Sequence, residues 1–170
     1  LAAGPMSEVV MNSTRYLNDK DLNAIASYLK AVPAVTTEDT VQPVNVAALP
    51  KKHSDDIAIN LLDQMDVLKE AKANASSPSE SLYLAECASC HGINGYGQPD
   101  AGYAPIVGLT SLRRDNPAPV INVVANGIHQ VMNTRPQMPG FKDDLTNEEM
   151  ADIVNYVRTT FGGMPESKVT

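Results

Sequence analysis

An all-α fold is predicted for this 170-residue chain, on three observations. Apolar residues recur at i, i+3, i+4 and i+7 in several separate stretches, the stripe of an amphipathic helix. No alternation of strand and helix patterns surrounds the two cysteines, Cys87 and Cys90. Aromatic residues make up only 5% and Trp is absent, which is thin for a core built from side chains alone, so something else is expected to help fill it.

Each element has its own signal. Residues 19–30, DKDLNAIASYLK, place Leu22, Ile25, Ala26 and Leu29 on one face, with Asp19 as the expected N-cap and Pro33 as the stop. Residues 33–54 mix Pro, Thr and short apolar runs without period and read as linker or irregular packing. A helical pattern resumes over 55–73, with Ile57, Leu61, Met65, Leu68 and Lys72 marking one side, until NASSPSES breaks it. Another helix is expected from Ser79 to Ala88, with Pro78 near its start and Leu82 and Tyr83 facing inward. Between Gly92 and Asp115 the glycines at 92, 95, 97, 102 and 108 interleave with Pro99 and Pro105, so this region is a shaped loop. APVINVVANG then offers a short helix ended by Gly127, and MPGFKDD is a non-helical approach to the last helix. That helix, TNEEMADIVNYVRTTF, starts from Thr146 as N-cap, carries acids in its first turn and ends at Gly162 and Gly163.

One pattern repeats. LNDKDLNAIASYLK (17–30) laid over LTNEEMADIVNYVR (145–158) matches Leu17 with Leu145, Leu22 with Met150, Ile25 with Ile153, Tyr28 with Tyr156 and Lys30 with Arg158. A Met-bearing loop precedes each copy, with Met6 before the first and Met138 before the second. The simplest account is a chain that begins with the tail of one domain and continues with a complete copy, the only copy holding cysteines.

Composition limits the function classes. Asp and Glu outnumber Lys and Arg 20 to 13, a net charge of −7, which argues against a nucleic-acid partner. No run approaches the roughly 18 apolar residues of a membrane-spanning helix, so no span is predicted. The opening LAAGPMSEVV has neither a basic leader nor an apolar stretch behind it, and is expected to lie inside a longer chain.

The chemistry centres on AECASCHGINGYG. Two thiols about one helical turn apart can each add to a vinyl group of one porphyrin, and the histidine that follows then lies beneath the iron, so Cys87, Cys90 and His91 read as covalent attachment of haem c. The rival readings are weaker. A thioredoxin-like pair leaves the histidine unexplained, a zinc site lacks a second ligand cluster, and a disulfide between Cys87 and Cys90 at a helix start is geometrically poor. A thioether in the sixth position of the iron suits electron transfer. Met138, in QMPGF after the middle helix, is the first candidate and Met132 the runner-up, against the alternative that either simply fills core.

LYLAECASCHGINGYG, YAPIVG, QMPGF and LTNEEMADIVNYVRTTFG together resemble a class I cytochrome c domain. The whole chain is similar to the last part of the three-haem cytochrome c subunit of bacterial membrane-associated dehydrogenases for alcohols, aldehydes, gluconate and related sugars. The resemblance implies a class I cytochrome c fold around one covalent haem, with Met138 as sixth iron ligand opposite His91. It also implies that Pro105 supplies the carbonyl accepting the Nδ1 hydrogen of His91. Arg113 and Arg114 are candidates to pair with haem propionates, against the alternative of solvated loop arginines. Met6 resembles the axial ligand of the preceding domain, whose own Cys-Cys-His segment this chain does not contain. His53 and His129 read as surface residues.

The expected organisation is therefore a C-terminal remnant of a preceding cytochrome c domain over 1–32, a linker with one helix over 33–77, a cytochrome c domain over 78–163 and a tail over 164–170. The expected function is relay of single electrons from a dehydrogenase catalytic subunit to membrane quinone or a terminal oxidase, in the bacterial periplasm, with no catalysis by the chain itself. A freestanding periplasmic shuttle and a haem peroxidase are the alternatives.

Overall fold

The computed structural model describes residues 5–33, 35, 40–51, 61–129, 137–165 and 167–170. Among them the α-helices are α1 (Pro5–Asn12), α2 (Asp19–Ala31), α3 (Leu61–Ala73), α4 (Pro78–Glu86), α5 (Ala88–His91), α6 (Ala118–Asn126) and α7 (Asn147–Thr160). No strand occurs among the described residues; three isolated antiparallel bridges join Val41 to Arg114, Gln98 to Tyr103 and Ile128 to Met138. The fold is all-α, as the sequence predicts.

Helix ends follow local capping chemistry. The Thr146 hydroxyl accepts from the Glu149 backbone N–H at 3.2 Å, while the Glu149 carboxylate accepts from the Thr146 N–H at 2.9 Å, which makes the start of α7 a reciprocal capping box. Replacing Thr146 by alanine should therefore lower stability by about 1 kcal/mol in urea unfolding; no change would mean that water caps α7 equally well. At α4 the cap is Ser77, with Pro78 in the first turn, where its missing N–H is harmless. The expected continuous helix to Ala88 breaks at Cys87, and a separate turn, α5, carries Cys90 and His91. At α2 the cap is Asn18 rather than the expected Asp19. The Asn18 side chain is the one within reach of the Asp21 N–H, at 2.9 Å, from an extended backbone. Val32, the residue before Pro33, is extended and ends α2 one step earlier than the proline itself.

The buried core is drawn from α4, α6 and α7 with the short turn Thr110–Arg113. Tyr83 and Leu84 meet Val120, Val124, Ile153, Val154 and Val157, with Leu112 and Phe161 closing the ends. Tyr83, Tyr156 and Phe161 form a ring cluster with centroids 4.9–5.7 Å apart, inside the range where tilted and edge-on aromatic pairs attract. Helix α3 adds Leu68 and Ala71 to this core, and Ala75, just past its end, packs there as well. Met65, expected on the packed side, is 56% exposed. The face bearing Leu68 and Ala71 is the one that meets the core, and it turns Met65 outward. Ile57 and the Leu61 side chain lie outside the described residues.

The two copies of the repeat have opposite surroundings. Ile153 of α7 is 1% exposed and its counterpart Ile25 of α2 is 44% exposed; Tyr156 packs on the core whereas Tyr28 is 71% exposed. Arg158, buried in α7, donates from its Nε to Leu112 O at 3.3 Å, from Nη1 to Ser167 Oγ at 2.7 Å and from Nη2 to the carbonyl of Arg114. Its guanidinium thereby ties the last helix to the 112–114 turn and to the C-terminal tail. Val169 is fastened to α7 as well, by paired hydrogen bonds with the Asn155 side chain at 2.8 and 3.0 Å.

Residues 40–51, within the expected linker, lie against the domain. Thr40 and Gln42 both donate side-chain hydrogen bonds to the Asp115 carboxylate, the Asp115 N–H donates to Thr40 O at 3.0 Å, and the Gln42 N–H donates to Arg113 O at 2.8 Å. Further along, Pro50 O accepts from the Tyr96 hydroxyl at 2.8 Å. The hydrogen bonds from Thr40 and then Gln42 hold the Asp115 carboxyl below its ordinary value. A carboxylate with a depressed folded-state pKa stabilises above its unfolded value and loses that contribution as pH falls through the folded one. Protection of the Gln42 and Asp115 amides, corrected for the intrinsic exchange rate, should therefore fall at acid pH before that of the helical core. Simultaneous loss of protection everywhere would contradict this.

Candidate haem-binding site

Cys87 and Cys90 are both free thiols, brought within one turn of each other by hydrogen bonds from the Cys90 and His91 N–H groups to Cys87 O, at 3.2 and 3.0 Å. Burial first, then the charge of Glu86 and the neighbouring Cys90, pushes the Cys87 thiol up to about 12, so it is a neutral S–H at neutral pH. Among the described residues no three His, Cys, Asp or Glu side chains gather as a metal cluster. The two thiols and the imidazole therefore do not converge on one point as a zinc site requires.

His91 Nδ1 lies 2.9 Å from Ala104 O. A carbonyl can only accept, so Nδ1 carries the proton and Nε2 is left with its lone pair for a metal. The expected acceptor, Pro105, is corrected to its neighbour. The proline ring restricts the residue before it to extended backbone, and that fixes the peptide plane whose oxygen belongs to Ala104. Behind it, the Ile106 and Val107 N–H groups turn away to Gly95 O, at 2.8 and 3.2 Å.

Glycines make this loop possible. Gly97 has φ +60°, its N–H donates to His91 O at 2.7 Å, and a Cβ there would sit 2.6 Å from Ala104 O. Gly97→Ala should therefore push away the carbonyl that holds the imidazole. It is expected to cost about 1–3 kcal/mol through backbone strain and, in haem-loaded protein, to raise the reduction potential because an unbonded imidazole is the poorer donor. An unchanged potential in protein titrated electrochemically would show that Ala104 does not orient His91.

Met138 is half-buried and is not among the side chains packed on the core, in contrast to Met150. Its backbone is held closely: Ile128 N donates to Met138 O at 2.9 Å, while Phe141 N and Lys142 N reach back to Val124 O and Ala125 O at the end of α6. Next to this pairing the exposed His129 donates from Nδ1 to Gln137 Oε1 at 3.2 Å. Met132 and His53 lie outside the described residues. Arg113 donates from Nη1 to Gln42 O, and its buried Nε has no hydrogen-bond partner among the described residues. A buried guanidinium N–H of this kind fits an anionic group such as a haem carboxylate. The linear sequence singled out Arg113 but carried no sign of Gln42 beside it, because the two are 71 positions apart.

Residues 77–161, half of the chain, match the cytochrome c family. The chain belongs to the cytochrome c family. Membership implies covalent haem c and electron transfer, and the segment Cys87–His91 fits one attachment site. This cytochrome is 34% identical over 168 residues to the fructose dehydrogenase cytochrome subunit of Gluconobacter japonicus, covering 95% of the chain and 33% of that protein. It is 35% identical over 163 residues to the alcohol dehydrogenase (quinone) cytochrome c subunit of Gluconobacter oxydans (strain 621H), covering 94% of the chain and 30% of the relative. With the gluconate 2-dehydrogenase cytochrome c subunit of Pantoea cypripedii the identity is 29% over 179 residues, covering 99% of the chain and 35% of the relative. The cytochrome thus spans about a third of the length of these relatives. No described helix is long and apolar enough to cross a membrane.

Proposed function

We propose that this cytochrome relays single electrons from a dehydrogenase catalytic subunit, oxidising an alcohol, aldehyde or sugar, to membrane quinone or a terminal oxidase. Cys87 and Cys90 would tether the haem, His91 would be the axial imidazole and Met138 the axial thioether. The bound haem supplies a one-electron couple between ferric and ferrous iron. The chain's own residues do the rest: Ala104 O orients His91, the 128–138 pairing holds Met138, and burial restricts water. The observation that carries the reading is the protonated Nδ1 of His91 on Ala104 O beside two free thiols, an imidazole prepared to offer Nε2. The names of the relatives point to the dehydrogenase partner, and covalent haem at such a motif to the periplasm, with inner-membrane association through the complex.

The same reading divides the chain into the end of a preceding cytochrome c domain over 1–32, a linker over 33–77, the haem domain over 78–163 and a tail over 164–170. The exposed face of α2, set beside the buried face of α7, supports the first of these, and the relatives' greater length is in keeping with it. Intact mass should show one haem per chain, and optical spectra should show sharp reduced bands with a weak near-infrared sulfur-to-iron band when oxidised. Absence of covalent haem would end the proposal. Purification without any catalytic subunit would favour the freestanding shuttle, and carbon monoxide binding at an iron without Met138 would favour a peroxidase.

A further inference from the structure

The family match begins at residue 77, yet residues 40–51 are bonded across the domain it defines. They cross at two places far apart in sequence. One is the 113–115 segment, reached through Thr40, Gln42 and the Val41–Arg114 bridge. The other is the loop after His91, where the Tyr96 hydroxyl donates to Pro50 O. Between them Leu49 lies 3.8 Å from where a Cβ on Gly108 would stand and 3.4 Å from the same position on Gly163. This is a strap, anchored at both ends.

The strap bears on a single guanidinium. Gln42 O accepts one Arg113 Nη1 hydrogen and the Gln42 N–H donates to Arg113 O, so Gln42 grips Arg113 by side chain and backbone together. Beneath the strap Arg113 Nε is buried with no partner among the described residues. A buried donor left without an acceptor is destabilising, and a charged guanidinium is best satisfied by a carboxylate. Arg113 is also built in from below, because Arg158 bonds Leu112 O and Arg114 O on either side of it.

We propose that strap 40–51 is a positioning element of the haem site: through Gln42 it aims Arg113 so that its buried Nε–H receives a carboxylate of the bound haem, and docking of the strap thereby sets the reduction potential. The proposal rests on the haem reading above. Its electrostatic sign is definite. A cation paired with a haem carboxylate offsets negative charge near the iron and favours the ferrous state; a released Arg113 leaves that charge uncompensated and favours ferric iron.

The test uses the haem-loaded full chain and a double-mutant cycle. Thr40→Val with Gln42→Leu removes both strap donors to Asp115; it should abolish exchange protection at the Gln42 and Asp115 amides and shift the midpoint potential downward at fixed pH. Arg113→Leu should shift it in the same direction, and adding the strap changes to Arg113→Leu should produce no further shift. Strap release without a shift, or strap and Arg113 effects that simply add, would overturn the proposal, the second by showing that the strap only excludes water. Should Arg113→Leu fail to hold haem, Arg113→Lys takes its place in the cycle, because it keeps the charge and loses the Nε–H. An intact near-infrared band in each variant shows that the iron ligands are undisturbed. Absence of covalent haem from the wild type would sink the underlying reading instead, which mass alone distinguishes.

Discussion

Gly127→Ala is expected to unseat Met138 while leaving the haem tethered. Gly127 closes α6 at φ +70° and ψ −170°, a backbone region essentially restricted to glycine. A Cβ there would lie 2.3 Å from Met138 O, 2.6 Å from the Pro139 carbonyl carbon and 2.7 Å from Gly140 N. All three are backbone atoms, so no side chain can swing aside. Nor can the loop retreat cheaply, since Ile128, Phe141 and Lys142 bond it to the end of α6. Gly140 meets the same crossing, where a Cβ would stand 2.6 Å from Ala125 O. Conformational strain alone is about 1–3 kcal/mol, and the collision adds to it. The near-infrared band should vanish and the urea midpoint fall, whereas Asn126→Ala, one exposed residue earlier, should stay within about 0.5 kcal/mol of wild type. A Gly127→Ala protein that keeps its band would show that Met138 does not depend on this crossing.

The second large effect is at the aromatic cluster. Phe161→Ala should destabilise by about 3–5 kcal/mol, a large share of the roughly 5–15 kcal/mol typical of a domain. Phe161 is fully buried, lies tilted against Tyr83 with ring centroids 4.9 Å apart, and sits against the backbone of Gly95, where a Cβ would stand 2.7 Å from its ring. Its carbonyl also accepts from Gly108 N at 2.7 Å, so one residue joins α7 to both sides of the loop around His91. Tyr83→Phe offers a finer comparison. It keeps the ring and removes the hydroxyl that donates to Gly92 O at 2.7 Å, leaving a part-buried carbonyl unpaired at about 1–3 kcal/mol. Burial keeps the Tyr83 phenol neutral well beyond its ordinary range, so this difference should not vary between pH 6 and 9 on the order expected for an ionising group. Equal stability of Tyr83→Phe and wild type would mean that water replaces the lost donor.

Much of this is legible in the sequence. Thr146 with Glu149 three residues on is a contiguous instruction to start a helix, and Gly127 at the end of VINVVAN is one to stop. Cys87, Cys90 and His91 need only one turn of backbone to act together, so their chemistry is written in their spacing. Where sequence and structure differ locally they differ by one residue: Asn18 caps α2 in place of Asp19, and Ala104 in place of Pro105 supplies the carbonyl. Each difference arises because neighbouring atoms compete for one partner and geometry chooses between them.

Spacing along the chain does not encode which face of a helix finds a neighbour. Ile25 and Ile153 occupy the same register of the same pattern, yet one is largely exposed and the other buried, because only α7 has α4 and α6 to pack on here. Residues 40–51 have no period to betray them; their place comes from hydrogen bonds to partners some 71–75 positions away, which no local signal specifies. Even Gly127 has a second purpose invisible in its neighbours, the close passage of the Met138 backbone. Short-range sterics and capping fix what a segment becomes, but the pairing of remote segments is decided only when the whole chain competes for the same core.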